Sequence, residues 1–167
     1  MNRGFTLLEL LIALVVLGIL ATLSLPSSMR DPAQLELESG LRRLRVGLDR
    51  GRLAALRQQA PCALHLSDQG WRPPTALVLP ACAGASTWLA EHATGPLVLQ
   101  STLPHTVRFT ANGLVLDGGL VLLRHPRLSR MACLVIGLPL GITRTGSYHR
   151  DPTLELSSAH CRPNDAG

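Results

Sequence analysis

The chain has 167 residues, 46% hydrophobic and only 16% charged, which excludes an intrinsically disordered polymer and fits one domain plus an appendage. Its net charge is +5, and every basic residue is Arg. That balance permits an acidic partner without requiring one, and 3% aromatic residues is poor for a single-strand binder that stacks bases.

Residues 5–25 form an apolar run of 21 positions, which as a helix would span roughly 30 Å, about one bilayer core. Glu9 interrupts it. A carboxylate at membrane depth costs about 2.5–3.5 kcal/mol even on insertion scales. Three readings compete: a secretory signal peptide with Arg3 as its basic region, a plain single-pass anchor, and a helix whose Glu9 meets a specific cation. The first fits poorly, because the core is too long, retains Glu9 and lacks a clear small-residue cleavage site before Pro26.

The opening Met-Asn-Arg-Gly-Phe-Thr-Leu-Leu-Glu, residues 1–9, followed by the unbroken apolar run, resembles the class III signal of type IV pilins and pseudopilins. The resemblance implies that a prepilin peptidase cuts between Gly4 and Phe5 and methylates the new amine. It makes Glu9 the assembly acid, five places into the mature chain, and puts Pro26 where such helices commonly bend. It also implies a single pass in the inner membrane, a periplasmic C-terminal head, and other pilin or pseudopilin subunits as partners. The physics agrees: the amine of one subunit neutralises Glu9 of a neighbour, so a slipped register leaves a carboxylate unpaired in low dielectric. Arg30, Arg42, Arg43 and Arg45 follow the run, so charge alone does not place the C-terminus outside.

Residues 26–59 are expected to continue as an amphipathic helix. Leu37, Leu41, Leu44 and Leu48 step by four, three and four, and Ala55 extends their face. Pro26 and Pro32 bracket a break. Seven Arg against four acids over this stretch read as a solvated face or as a phospholipid or nucleic-acid surface.

From residue 60 onward, Pro and Gly punctuate short apolar stretches at 62–66, 76–79, 97–99, 107–110, 114–116, 120–123, 133–136 and 154–156. These are strand lengths. Asn112-Gly113 and Asp117-Gly118-Gly119 are turn signals, and a meander is expected over 106–123. The expected fold class is α+β: a long N-terminal helix, membrane half plus amphipathic half, on a C-terminal β-rich domain of short antiparallel strands. The domains would be a leader at 1–4, a membrane or filament-core helix at 5–25, a helix extension at 26–59, and a head at 60–167 built as a small sandwich or two packed sheets on the helix. The head's VRFTANGLVLDGGLVLL and ACLVIGLPLGITRTGSY resemble the GspH/FimT group of minor pseudopilins and minor pilins, with their helix and β-rich domain. A non-enzymatic subunit of a type II secretion pseudopilus or a type IV pilus is the implied function.

No motif for a nucleophile elbow, zinc protease or phosphate loop is present, and the six His are scattered, so no enzyme, cofactor or metal is expected. Two basic groups remain: Arg124, Arg127 and Arg130 in a loop expected after a strand, and Arg144 and Arg150 in or near a turn. Some FimT-type pilins bind DNA for transformation through a C-terminal Gly-Arg-x-Arg. Gly141 and Arg144 match that pattern, but Ile142 stands at its first Arg. This makes DNA the second partner class. Cys62, Cys82, Cys133 and Cys161 all follow the apolar run and include no close-spaced pair, which favours disulfides over reduced thiols or a metal site. Of three connectivities, Cys62–Cys82 and Cys133–Cys161 is the expected one, the second pinning the C-terminal tail to a late strand.

Overall fold

The computed structural model describes residues 7–23, 31–75, 79–89 and 97–164. The chain divides into two compact units, Met1–Asp31 and Pro32–Gly167. The described part of the first is helix α1, Leu7–Leu23. Its composition explains its form: Leu, Ile, Val and Ala on all sides, with one acid, Glu9, in the first turn, where it complements the positive end of the helix dipole.

The second unit opens with helix α2, Pro32–Gln58. Pro32 stands at the first helical position, where its missing N–H is no loss. The buried face runs Ala33, Leu37, Gly40, Leu44, Gly47, Leu48, Gly51, Ala54 and Ala55, so the expected apolar stripe is present, with Leu41 half-buried at its margin. Three of these buried positions are Gly. Each weakens a helix by about 1 kcal/mol relative to Ala. Close packing offsets that cost. A Cβ on Gly47 would strike the Trp71 indole, and one on Gly51 would strike the Phe109 ring. The Trp71 Nε1–H donates to the Leu44 carbonyl at 2.7 Å, which locks the indole against the helix backbone.

Among the described residues nine strands follow: β1 Cys62–Ser67, β2 Gly70–Arg72, β3 Thr87–Trp88, β4 Val98–Ser101, β5 Thr106–Phe109, β6 Gly119–Arg124, β7 Met131–Gly137, β8 Ile142–Tyr148 and β9 Cys161–Arg162. They pair antiparallel in two sheets, in the orders β3-β2-β1-β5 and β4-β6-β7-β8-β9. One face of each sheet rests on α2. The main core joins Leu37, Leu44 and Leu48 to Leu64, Trp71 and Phe109 of the first sheet and to Val121, Leu123 and Leu134 of the second. The α+β expectation therefore holds, as two sheets resting on a helix.

Three sequence expectations need correction. The meander over 106–123 does not form, because β5 pairs with β1 in the first sheet while β6 pairs with β4 and β7 in the second. Strand β6 is apolar on both faces, and only the second sheet covers both. Residues 114–116 supply a single bridge, Phe109 to Val115, rather than a strand. Residues 154–156 form no strand either. A turn at Asp151, whose carboxylate accepts from the Thr153 N–H and hydroxyl, starts a segment that delivers Leu156 to a second apolar cluster. The strand expected at 76–79 lies mostly outside the described residues.

That second cluster occupies the opposite face of the larger sheet. Leu120, Leu122, Cys133 and Tyr148 are covered there by Cys161 and Leu156 of the C-terminal segment. Both expected disulfides are present: Cys62–Cys82, with Cα atoms 5.1 Å apart, and Cys133–Cys161, at 5.9 Å. The second ties β7 to the tail, and Ser157 N–H adds a bond to the Tyr148 hydroxyl at 3.2 Å.

Candidate functional site

The site with the strongest sequence signal is the start of α1. Glu9 lies in the first turn and is exposed, as are the described side chains from Leu7 to Ile19. Leu7 is 82% exposed and Leu17 62%, so the helix presents a nearly complete apolar surface with one acid near its N-terminus. Water does not tolerate such a surface on a monomer; lipid or neighbouring apolar helices do. Gly4 and Phe5, the expected processing pair, lie outside the described residues. Among the described residues no helix is long and apolar enough to cross a membrane. The 17 residues of α1 reach roughly 25 Å at the usual helical rise, and the expected span of 5–25 begins and ends beyond them.

The arginines singled out from the sequence do not form one surface. Arg124 is the last residue of β6 and Arg144 the third of β8, so both are strand residues rather than loop or turn residues. The register places them on the same face of the larger sheet as Leu122, Cys133 and Tyr148. The tail occupies Arg144, whose guanidinium donates to the Ser158 carbonyl at 3.2 Å. Asp151 is held below the usual carboxylate range, chiefly by the Thr153 N–H and hydroxyl and to a smaller extent by Arg124. Arg150 donates to His160 Nε2 at 2.9 Å, within the tail itself.

Arg130 faces the other way. Its Nε–H donates to Ser147 Oγ at 3.0 Å, and it walls a cleft against Gln34 and Leu41 of α2. Arg127 is exposed in the turn after β6. The structure therefore uses Arg144 and Arg150 to hold the C-terminal segment and leaves Arg127 and Arg130 apart from them.

Two arrangements escaped the sequence reading. His125 is buried, accepts the Arg127 N–H at Nδ1, and so presents Nε2–H to Glu36 at 3.2 Å, tying the turn after β6 to the first turns of α2. Nothing in the sequence marks this pair, which is separated by 89 positions. The other is a row of arginines on α2, Arg43, Arg50 and Arg57, at a seven-residue spacing within the stretch that the sequence marks as a solvated face or a phospholipid or nucleic-acid surface. Among the described residues no three His, Cys, Asp or Glu side chains are grouped to hold a metal ion.

An apolar, exposed helix with an acid in its first turn, leading a sequence whose second unit is β-rich, is a pilin-like organisation. Residues 1–25 match the prokaryotic N-terminal methylation motif, the prepilin signal of type IV pilins. Over 69 residues the chain is 41% identical to "Pilin-like protein PilA1" of Thermus thermophilus. That stretch covers 41% of this chain and 43% of the relative, so the chain spans less than half the length of the curated relative it matches. No solved structure gives a significant match. Both matches are similarities to type IV pilin-like proteins, one over residues 1–25 and the other over 69 residues.

Proposed function

We propose that this chain is a non-enzymatic minor subunit of a type IV-type filament, a pseudopilus of type II secretion or a pilus, of the GspH/FimT kind. The observation that carries the reading is the methylation motif running into an exposed apolar helix with Glu9 in its first turn. Prepilin peptidase cuts between Gly4 and Phe5 and methylates the amine of Phe5. The precursor waits in the inner membrane with its β-rich unit in the periplasm. On assembly the apolar helix exchanges lipid for neighbouring helices, and Glu9 meets the amine of an adjacent subunit. A buried carboxylate without its partner costs several kcal/mol, so the pair selects one register among many that apolar packing alone would accept.

The test is the mass of the N-terminal peptide from native membranes. A chain that begins at methylated Phe5 supports the proposal. In cells with active prepilin peptidase, an intact Met1 or a start near Pro26 overturns it. A second measurement checks the register argument. Glu9→Ala should lower recovery in sheared filament fractions at least tenfold, while Trp71 fluorescence stays that of the folded protein. Undiminished recovery would sink the argument.

A further inference from the structure

The hairpin between β7 and β8 turns through Leu138, Pro139, Leu140 and Gly141 and returns with Ile142. Leu138, Pro139, Leu140 and Ile142 are exposed, Leu140 at 51% and Ile142 at 66%. No charged residue occurs from 131 to 143. Aliphatic side chains gathered at a surface this way mark a contact site. The tip is also held in place. The Val115 N–H donates to the Pro139 carbonyl at 2.8 Å, Leu138 lies over Gly118, and Gly141 packs against Val115 and the Arg52 side chain of α2. A fixed knob loses little conformational freedom when it docks.

A matching hole lies at the other end of β7, against the first turns of α2. It is a cleft of about 80 Å³, walled by Leu37, Leu41, Leu128 and Ala132, with exposed Glu38 and Arg130 among its lining residues. A cavity of about 150 Å³ holds a benzene ring, so this one admits an aliphatic branch and not an aromatic ring. Ala132 and Leu138 are six strand residues apart, and Leu41 and Arg52 are eleven helical ones apart. By either route the cleft and the tip are separated by roughly 17–20 Å, so one copy cannot fill its own cleft.

The charges of α2 follow the same polarity. Residues 32–41 carry Glu36 and Glu38 and no base, whereas residues 42–58 carry six Arg against Asp49. The helix dipole favours such a bias only in the first and last turns, and Arg42, Arg43, Arg45 and Arg50 lie between them. The cleft therefore sits at the acidic end of α2, and the tip, beside Arg52, at the basic end.

We propose that the tip of the β7–β8 hairpin docks into this cleft on a second copy of the chain, with Leu140 in the hole and the basic end of one α2 toward the acidic end of the other. Knob and hole are different patches at opposite ends of one unit, so the contact is heterologous. Each copy then offers a hole to one neighbour and a knob to the next, and such contacts propagate in one direction unless the rotation closes a ring. A single leucine with a few charges falls far short of the roughly 1,200 Å² that stable complexes bury. The proposal therefore rests on the filament reading in one respect: apolar α1 helices gathered in one membrane or filament core supply the crowding under which a small contact sets the arrangement.

The experiment co-expresses two full-length copies with different tags, one carrying Ile142→Cys beside the knob and the other Gln34→Cys at the cleft. Native membranes are treated with a short bismaleimide, and the products are sorted by tag and mapped. The four native cysteines are in disulfides, so only the added thiols react. The expected product joins position 142 of one copy to position 34 of the other, at least fivefold above either like-tagged product. Leu140→Asp in the Ile142→Cys copy should lower that yield at least fivefold, and Leu140→Met should keep it. Glu38→Arg in the Gln34→Cys copy should lower it at least threefold. Leu140 and Glu38 are exposed, so the fold should persist in each. A main product joining two Ile142→Cys copies would mean that the tips meet about a two-fold axis, and no product would mean that the tip faces lipid or another chain; either overturns the proposal. So does an unchanged yield with Leu140→Asp or with Glu38→Arg. The N-terminal mass from the same membranes keeps the two readings apart. A chain that begins at Phe5 but gives no mixed product removes this contact and leaves the filament reading standing, whereas an intact Met1 removes the filament reading and leaves the contact to be decided by the mixed product.

Discussion

Gly47 sits where α2 comes closest to the first sheet, and its missing side chain is what admits Trp71. The indole is fully buried and hydrogen-bonded to Leu44, so it cannot swing aside for a new methyl group. Gly47→Ala should therefore destabilise the folded unit by roughly 1–3 kcal/mol, the usual cost of overpacking, despite the better helix propensity of Ala. At Gly40 the added atom would meet first the far end of the half-buried, flexible Leu97 side chain rather than a hydrogen-bonded ring, so Gly40→Ala should cost less. Urea midpoints of the two variants check the order; a Gly47→Ala midpoint at or above the Gly40→Ala midpoint would refute it. Asp117 is a second residue with a definite role. Both its carboxylate oxygens receive the Arg108 guanidinium, at 2.9 and 2.8 Å, and one also accepts the Arg108 N–H. These hydrogen bonds, the guanidinium's first, hold the Asp117 carboxyl below its usual range despite partial burial, and Asp117 in turn raises Arg108. A depressed carboxyl stabilises the fold fully above the unfolded pKa, about 3.9, and loses that contribution as pH falls through the folded pKa. The stability gap between the wild type and Asp117→Asn should thus be full at pH 7 and close below about pH 4. A pH series of urea midpoints measures it, and a gap that widens in acid would contradict the account.

The C-terminal segment has little regular structure, a 3-10 turn at Ser158–His160 and the two residues of β9, yet it covers the second apolar cluster on one face of the larger sheet. Cys133–Cys161 fastens it to β7, and Ser157, Ser158 and Leu156 add a bond to Tyr148, a bond from Arg144 and an apolar contact. Closing a loop with a sequence separation of 28 is worth about 3–4 kcal/mol on the chain-entropy account. Replacing both cysteines with Ser should lower the urea-derived stability by about that much and open residues 149–160 to proteolysis before the sheets unfold. An unchanged midpoint and an intact tail would remove the latch role. The pinning was legible in the sequence; its manner was not. Strands β1, β6 and β7 were readable because apolar residues mark buried sheet positions locally. The partner of β5 was not, because pairing with β1 is a contact over more than forty residues that no local pattern encodes. Buried Gly40, Gly47 and Gly51 carry no apolar signal, so the amphipathic reading found the leucines of α2 and missed the positions of closest approach. For the sites, Glu9 was legible because a lone acid in an apolar run is anomalous by itself. The jobs of Arg144 and Arg150 were hidden, because what occupies them is a tail that folds back from further along the chain.

At the scale of the molecule, the question is which residues unfold together. Every described buried hydrophobic residue lies at or beyond Ala33, and both apolar clusters draw only on residues from Leu37 onward. The first unit offers the opposite, an exposed apolar helix whose natural surroundings are other apolar groups. A domain that holds its own core should fold without an appendage from which no described residue enters that core. A chain beginning at Pro32 should then unfold at the same urea midpoint as the full chain when both are measured in the same neutral detergent. The buried indole of Trp71 supplies the signal in each case. The truncated chain should also remain soluble after the detergent is removed, whereas the full chain should associate through α1. A midpoint lowered by more than about 1 kcal/mol of stability would mean that residues 1–31 belong to the cooperative unit, since effects of that size need contacts the two clusters do not include. Equal midpoints would separate the two tasks of the sequence, with the apolar helix serving assembly and the α2–sheet unit carrying the fold and its arginine-lined flank.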